Sequence, residues 1–226
     1  MEFIPNHAPA VVLGFLGTCL LLAAAGLMML YGWLAKRSRR AWQALGAAIV
    51  VGGFYVTLLV GAAVTSDERT LAPGEWKYFC EIDCHLAYTV TEVRTAKTLG
   101  PPEKQISTEG VFYVVTVKTW FDERTISTRR PRDLTLRPDP RLVAVVDGYG
   151  NSYAPMEVRG APLSQPLLPG QSYTTEFVFD LPADRPNFRL LLTTAVPVNW
   201  FLIGHEGSFF HKKVFFALGP TSTTVD

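Results

Sequence analysis

"WKYFCEIDCHLAYTV", Trp76 to Val90, is the stretch on which the reading of the fold turns. Trp76, Tyr78, Cys80, Ile82, Cys84, Leu86, Tyr88 and Val90 share one parity, and Lys77, Glu81, Asp83, His85 and Thr89 share the other. A period of two is the mark of a strand with one face in a core. As one unbroken strand, the run puts Cys80 and Cys84 on the same core-facing side, ~13 Å apart at ~3.3 Å per residue. That separation is too wide for a disulfide or for one shared metal ion. A bulge or turn near Glu81 to Asp83 brings the two sulfurs together and lets His85 swing round. The run is long against the ~5–6 residues usual for a strand, which favours such a break.

Downstream, β-rich runs recur at Val111 to Trp120, Leu142 to Asp147, Ser172 to Leu181, Phe188 to Thr194 and Lys213 to Leu218. Turn chemistry separates them: "LGPPE", "RPDPR", "DGYGN", "LLPGQ" and "ADRPN". No run of helical period follows Trp76. The region 76–219 is therefore expected to be an all-β antiparallel β-sandwich, after a linker at 67–75 and before a short tail at 220–226.

Upstream, the character changes. The chain has 226 residues of which 48 % are hydrophobic, and much of that excess lies in two uncharged runs, about 10–35 and 42–65. Each exceeds the ~20 residues that a helix needs to cross a bilayer. Between them "KRSRR" places Lys36, Arg37, Arg39 and Arg40 in a short connection, which the positive-inside tendency assigns to the cytoplasm. Residues 1–66 thus read as a two-helix transmembrane hairpin, with both termini and the β domain extracytoplasmic, periplasmic in a Gram-negative bacterium. The first run lacks the basic start of a signal peptide and is longer than its apolar region. "LGTC" ending at Cys19 echoes a lipoprotein box without that basic start. Neither run carries an ionisable side chain of the kind that marks an ion pathway. Gly53, Thr57 and Gly61 repeat at a spacing of four, which suits close helix packing, in the hairpin or with another membrane subunit. The lipid bilayer is the expected partner. A net charge of +1 and the absence of a basic patch interleaved with aromatics argue against nucleic acid.

The series "TVTEVRTAKTLG", "VFYVVTVKTW", "LVAVVDGYGNSYAP" and "PLLPGQSYTTEFVFDLPADRPNFRLLL" resembles the telokin-like bacterial immunoglobulin domains of unknown function, over about Ala87 to Leu192. The resemblance lies in turns and core positions. It implies that the sandwich is immunoglobulin-like and serves as a membrane-anchored or secreted binding or scaffolding module, and it carries over no active site.

Only three cysteines and four histidines occur. The Cys-x-x-x-Cys spacing of "CEIDCH" is similar to that of the copper domain of cytochrome oxidase subunit two, which also follows a two-helix hairpin, and of its copper chaperones. Here Glu81 follows the first cysteine directly, no histidine lies four residues after Cys84, and no proline follows it. The expected site is Cys80 and Cys84 with His85, His205 or His211 completing the ligand set for a soft ion, copper first. It relies on the last strand lying beside the first, as is common in such sandwiches. Met156 is a further thioether candidate. The alternative is a disulfide between Cys80 and Cys84 in a metal-free structural or interaction subunit. Glu81 and Asp83 disfavour a reactive thiolate. No hydrolase, nucleotide or zincin motif occurs: the histidines of "HEGSFFH" are interrupted by glycine in a sequence that reads as a hairpin. The protein reads as non-catalytic.

Overall fold

A computed structural model of the chain describes residues 8–79, 85–126 and 130–219. It divides into two compact units, one combining the N-terminal helices with Pro197–Lys212 and the other holding the strands.

In the helical unit, α1 (Ala8–Leu34) and α2 (Ser38–Val64) form an antiparallel pair. α2 begins four residues earlier than the apolar run, because Arg39 and Arg40 fit the first turn of a helix as well as a loop. α1 ends in a Schellman motif: the Arg37 amide donates to the Gly32 carbonyl (2.7 Å) and the Lys36 amide to that of Trp33 (3.0 Å). Lys36 takes the left-handed position of that motif, at φ 56°. Gly32 has a separate job, since a Cβ there would sit 2.8 Å from the Ala41 backbone nitrogen. Ala41, Ala44, Leu59 and Ala63 are the buried residues of α2. The Gly53, Thr57, Gly61 stripe does not serve the hairpin's own packing. A Cβ at Gly53 or Gly61 would meet nothing within 4 Å, and the Thr57 hydroxyl bonds back to the Gly53 carbonyl instead. Large apolar side chains cover the outside of both helices, among them Leu20, Leu27, Trp42, Val50 and Phe54.

The strand unit is a sandwich. One sheet has the order β1-β10-β9-β5-β6: β1 (Arg69–Leu71), β10 (Val214–Ala217), β9 (Arg189–Thr194), β5 (Arg141–Val146) and β6 (Ser152–Tyr153). The other has β2-β3-β4-β8-β7: β2 (Lys77–Phe79), β3 (Leu86–Leu99), β4 (Ile106–Phe121), β8 (Ser172–Leu181) and β7 (Glu157–Gly160). Pairing is antiparallel throughout except between β1 and β10, which run parallel. Alternate side chains from the two sheets make the core, including Val115, Val117, Phe121 and Phe179 from one sheet and Leu190, Leu192, Val214 and Phe216 from the other.

The Trp76–Val90 run is a hairpin, not one strand. Lys77 pairs with Tyr88, Tyr78 with Ala87, and Phe79 with Leu86. Paired residues share a face, so Lys77 and Phe79 point inward with Leu86 and Tyr88, and the parity changes sides across the reversal. The single-parity reading of Trp76, Tyr78, Leu86, Tyr88 and Val90 is corrected accordingly. A second shift, between Val90 and Glu92, is a bulge at Thr91 that returns Val93 to the core opposite Val115. β1 lies inside the stretch read as a linker; three residues with an arginine among them carry no visible period.

Candidate functional site

Of the predicted ligands, His85, His205 and His211 lie among the described residues. Cys80 and Cys84 lie outside the described residues, in the connection between β2 and β3. His85 closes that connection in the strand unit, whereas His205 and His211 belong to the helical unit. The last strand does lie beside the first, as β10 against β1, but the cysteine hairpin is in the opposite sheet. Among the described residues no three of His, Cys, Asp and Glu come together in a way that suits a metal ion. His205 accepts a bond from the Gly207 amide on its Nδ1 (2.8 Å), and the Nδ1 of His211 lies 2.7 Å from the Lys212 carbonyl. Both bonds are local turn geometry. Residues 201–213 form turns rather than the hairpin expected there. Met156 is exposed.

The end of the sandwich at His85 is nevertheless a built polar cluster. His85 is buried, with its ring stacked on that of Phe121 at 5.6 Å. Its Nδ1 is 2.6 Å from the Thr125 hydroxyl oxygen. That hydroxyl has one proton, which it donates to the Asp122 carbonyl (2.8 Å). Thr125 therefore accepts from the Nδ1–H of His85. The backbone joins in, with the Asp122 amide donating to the His85 carbonyl (2.8 Å).

Beside it, Asp122 is almost fully buried and accepts from the Tyr78 hydroxyl (2.6 Å) and twice from the Arg124 guanidinium, through Nε (2.9 Å) and Nη2 (2.8 Å). The Arg124 amide adds a fourth bond (3.0 Å). Burial pushes the carboxyl of Asp122 up, but the bonds from Arg124 and Tyr78 outweigh it and hold the group below the usual carboxylate range. The Arg124 guanidinium also lies over the Trp120 ring (5.1 Å), which packs against Trp76 (5.1 Å). Sequence reasoning found His85 but missed Tyr78, Asp122 and Arg124, because their pairing spans the distance from β2 to the end of β4.

Inside the sandwich Lys77 is fully buried. Its ammonium crosses to the other sheet and donates to the carbonyls of Leu192 (2.7 Å) and Val214 (2.9 Å), on neighbouring strands β9 and β10. At the opposite side, Asp147 anchors the β5–β6 turn by accepting from the amides of Tyr149 and Asn151, the Asn151 side chain and the Tyr153 hydroxyl. Burial raises its carboxyl, yet the Asn151 side-chain bond and the other donors bring it down to about 2. This is the "DGYGN" turn of the sequence, and it is structural.

No family model and no curated protein matches the chain. Among solved structures, MPT63, a secreted protein from Mycobacterium tuberculosis, is similar with a TM-score of 0.41 and 11 % identity, over 67 % of this chain and 97 % of that one. At that score and identity the likeness carries nothing about activity, ligand or partner.

Proposed function

We propose that the protein is a two-pass membrane-anchored module that holds a non-catalytic, immunoglobulin-like sandwich on the outer face of the membrane, for binding or as an accessory subunit of a membrane complex. The observation that carries this reading is the helical hairpin. Two helices of 27 residues each expose large apolar side chains along their length, and basic residues gather at the turn joining them. A soluble core helix would bury such a surface, and a cleaved signal would supply one helix rather than a packed pair. The residues that hold the sandwich together form turns, caps and core, with no opposed acid and base beside a nucleophile among those described. Alkaline extraction of membranes tests the anchor. The protein stays in the pellet, and its intact mass includes both helices; release into the supernatant, or a mass lacking α1, refutes it.

A second reading is copper binding at the connection between β2 and β3, favoured by two observations. Pairing of Phe79 with Leu86 brings the two ends of the cysteine-bearing connection together, and the bond to Thr125 engages His85 Nδ1, so that Nε2 would be the ligating nitrogen. A reversal at this point suits a disulfide equally well. Copper content and thiol alkylation, measured together on protein prepared without chelator or reductant, separate the two. About one copper per chain with thiols that react only after chelation supports a soft-metal site, and no metal with an oxidised pair supports the staple.

A further inference from the structure

The segment between β9 and β10, Pro197–Lys212, groups with the helices rather than with the strands that flank it. It begins with a short 3-10 turn (Pro197–Phe201) and continues through turns closed by its own bonds. The His205 amide donates to the Leu202 carbonyl, the Ser208 amide to that of His205, and the Phe209 amide to that of Trp200. This compact loop exposes Val198, Trp200, Phe201, Phe209 and Phe210, the last at 82 %. Phe210 does so at φ 63°, a conformation that a bulky side chain seldom takes.

Where the loop meets the helices is informative. The ring of Phe201 stacks on that of Phe15 (6.4 Å) and packs edge-on to Phe209 (5.4 Å), while Phe15 also touches Tyr55 (6.3 Å). The Tyr55 hydroxyl donates to the Phe201 backbone carbonyl (2.6 Å). At ~1.5 Å per residue, Tyr55 lies ~14 Å along α2 from its Val64 end, and Phe15 ~10 Å along α1 from Ala8. Both are on the half of the hairpin away from the Lys36–Arg40 turn. Helices of this length run ~40 Å against a hydrocarbon thickness of ~30 Å, an overhang of ~5 Å at each end. By these figures Tyr55 lies ~9 Å and Phe15 ~5 Å inside the outer hydrocarbon boundary, which places the Phe201 carbonyl in the outer part of the hydrocarbon. Irregular backbone at that depth needs an internal donor, and Tyr55 supplies it. The final turn is fastened too, by the Lys212 amide donating to the Ser66 hydroxyl (3.0 Å).

We infer that Pro197–Lys212 is a third membrane element, one that does not span: an aromatic loop whose Trp200, Phe201, Phe209 and Phe210 side chains enter the outer leaflet beside the hairpin. Its occupant is the bilayer, because the exposed aromatic surface is continuous with the apolar surface of the helices. Trp is enriched at the membrane–water interface, and Phe beside it suits a face buried at the headgroup–acyl boundary. The inference rests on the membrane reading of α1 and α2 given above.

The test uses the full chain in phosphatidylcholine–phosphatidylglycerol nanodiscs, with a genetically encoded environment-sensitive fluorescent amino acid placed singly at 210, 50 or 103. These positions replace exposed residues, so the fold is preserved and the cysteines are untouched. Brominated lipid should quench the probe at 50, in mid-helix, and at 210, and leave that at 103, on the β3–β4 turn, to an aqueous quencher. Lipid quenching at 50 with aqueous quenching at 210 overturns the loop proposal and leaves the anchor standing. Aqueous quenching at 50 overturns the anchor and the loop proposal with it. As a measurement without a probe, Tyr55→Phe should raise amide exchange across 199–210 in the nanodisc, and unchanged exchange there contradicts the role of the Tyr55 bond.

Discussion

Replacing Lys77 by Met tests the inversion of parity at the cysteine hairpin. Lys77 is buried completely, and its ammonium holds two carbonyls of the opposite sheet, those of Leu192 and Val214. Methionine keeps most of the apolar stem and so opens little cavity; what it removes is the charged donor. A hydrogen bond to a charged group contributes ~1.5–3 kcal/mol net, so two such bonds predict a loss of at least ~3 kcal/mol. The opposing effect is release of the desolvation cost of a buried ammonium, which can make an apolar replacement neutral or stabilising. Here the partners are buried carbonyls on neighbouring strands β9 and β10, and the change removes a charge-assisted bond from each, a loss set to exceed the desolvation released. Urea denaturation of the full chain in mild detergent, followed by far-UV circular dichroism, gives the comparison. Lys104→Met, at an exposed turn, should stay within ~0.5 kcal/mol of the parent. Lys77→Met as stable as the parent would refute the argument, because the ammonium would then contribute nothing that a thioether cannot.

Acid should destabilise the sandwich through Asp147 and Asp122. Both carboxyls are depressed in the folded protein, Asp147 to about 2. Between the ordinary value near 3.8 and the folded value the unfolded chain binds more protons, so stability is present above that window and is lost as pH falls through it. Asp147→Asn should flatten the pH dependence of the melting temperature below about pH 4; an unchanged slope would count against the assignment. Gly110→Ala drives a Cβ into the Leu181 carbonyl oxygen, a backbone atom that cannot step aside. It should cost at least ~2 kcal/mol or break β4–β8 pairing at that end, visible as amide exchange around 181, and full tolerance would show that the strands are farther apart. Thr125→Val keeps the shape beside His85 but removes its acceptor. The tautomer preference read from nitrogen-15 shifts should then relax, and an unchanged preference for Nδ1–H would mean that another group sets it.

Composition was enough for the hairpin, since two long uncharged runs around a basic turn leave few other structures. The strands from Val111 to Leu218 were legible because turn residues bracket them, and Ser172–Leu181 agrees at both ends with β8. What was hidden depended on partners far along the chain. The alternation through Trp76 to Val90 looked continuous only because the reversal between Phe79 and Leu86 happens to restore the spacing of apolar residues on the other parity. Lys77 read as solvent-facing for the same reason. The Asp122 cluster depends on Tyr78, 44 residues away, and no local pattern announces it. His205 and His211 were weighed as ligands, whereas the informative residues of their segment are the aromatics around them. A loop carrying Trp200, Phe201, Phe209 and Phe210 in a chain that opens with a long apolar hairpin is the signal that could have been used.

Sided labelling of whole cells tests the central claim most directly. A membrane-impermeant reagent is applied to single reactive positions in the Lys36–Arg37 turn and at Glu103 on the sandwich. Labelling at 103 from outside, with labelling at 36 only after the membrane is permeabilised, is the predicted result. Labelling of both from outside, or of neither, would contradict a two-pass anchor that carries its β-sandwich on the outer face.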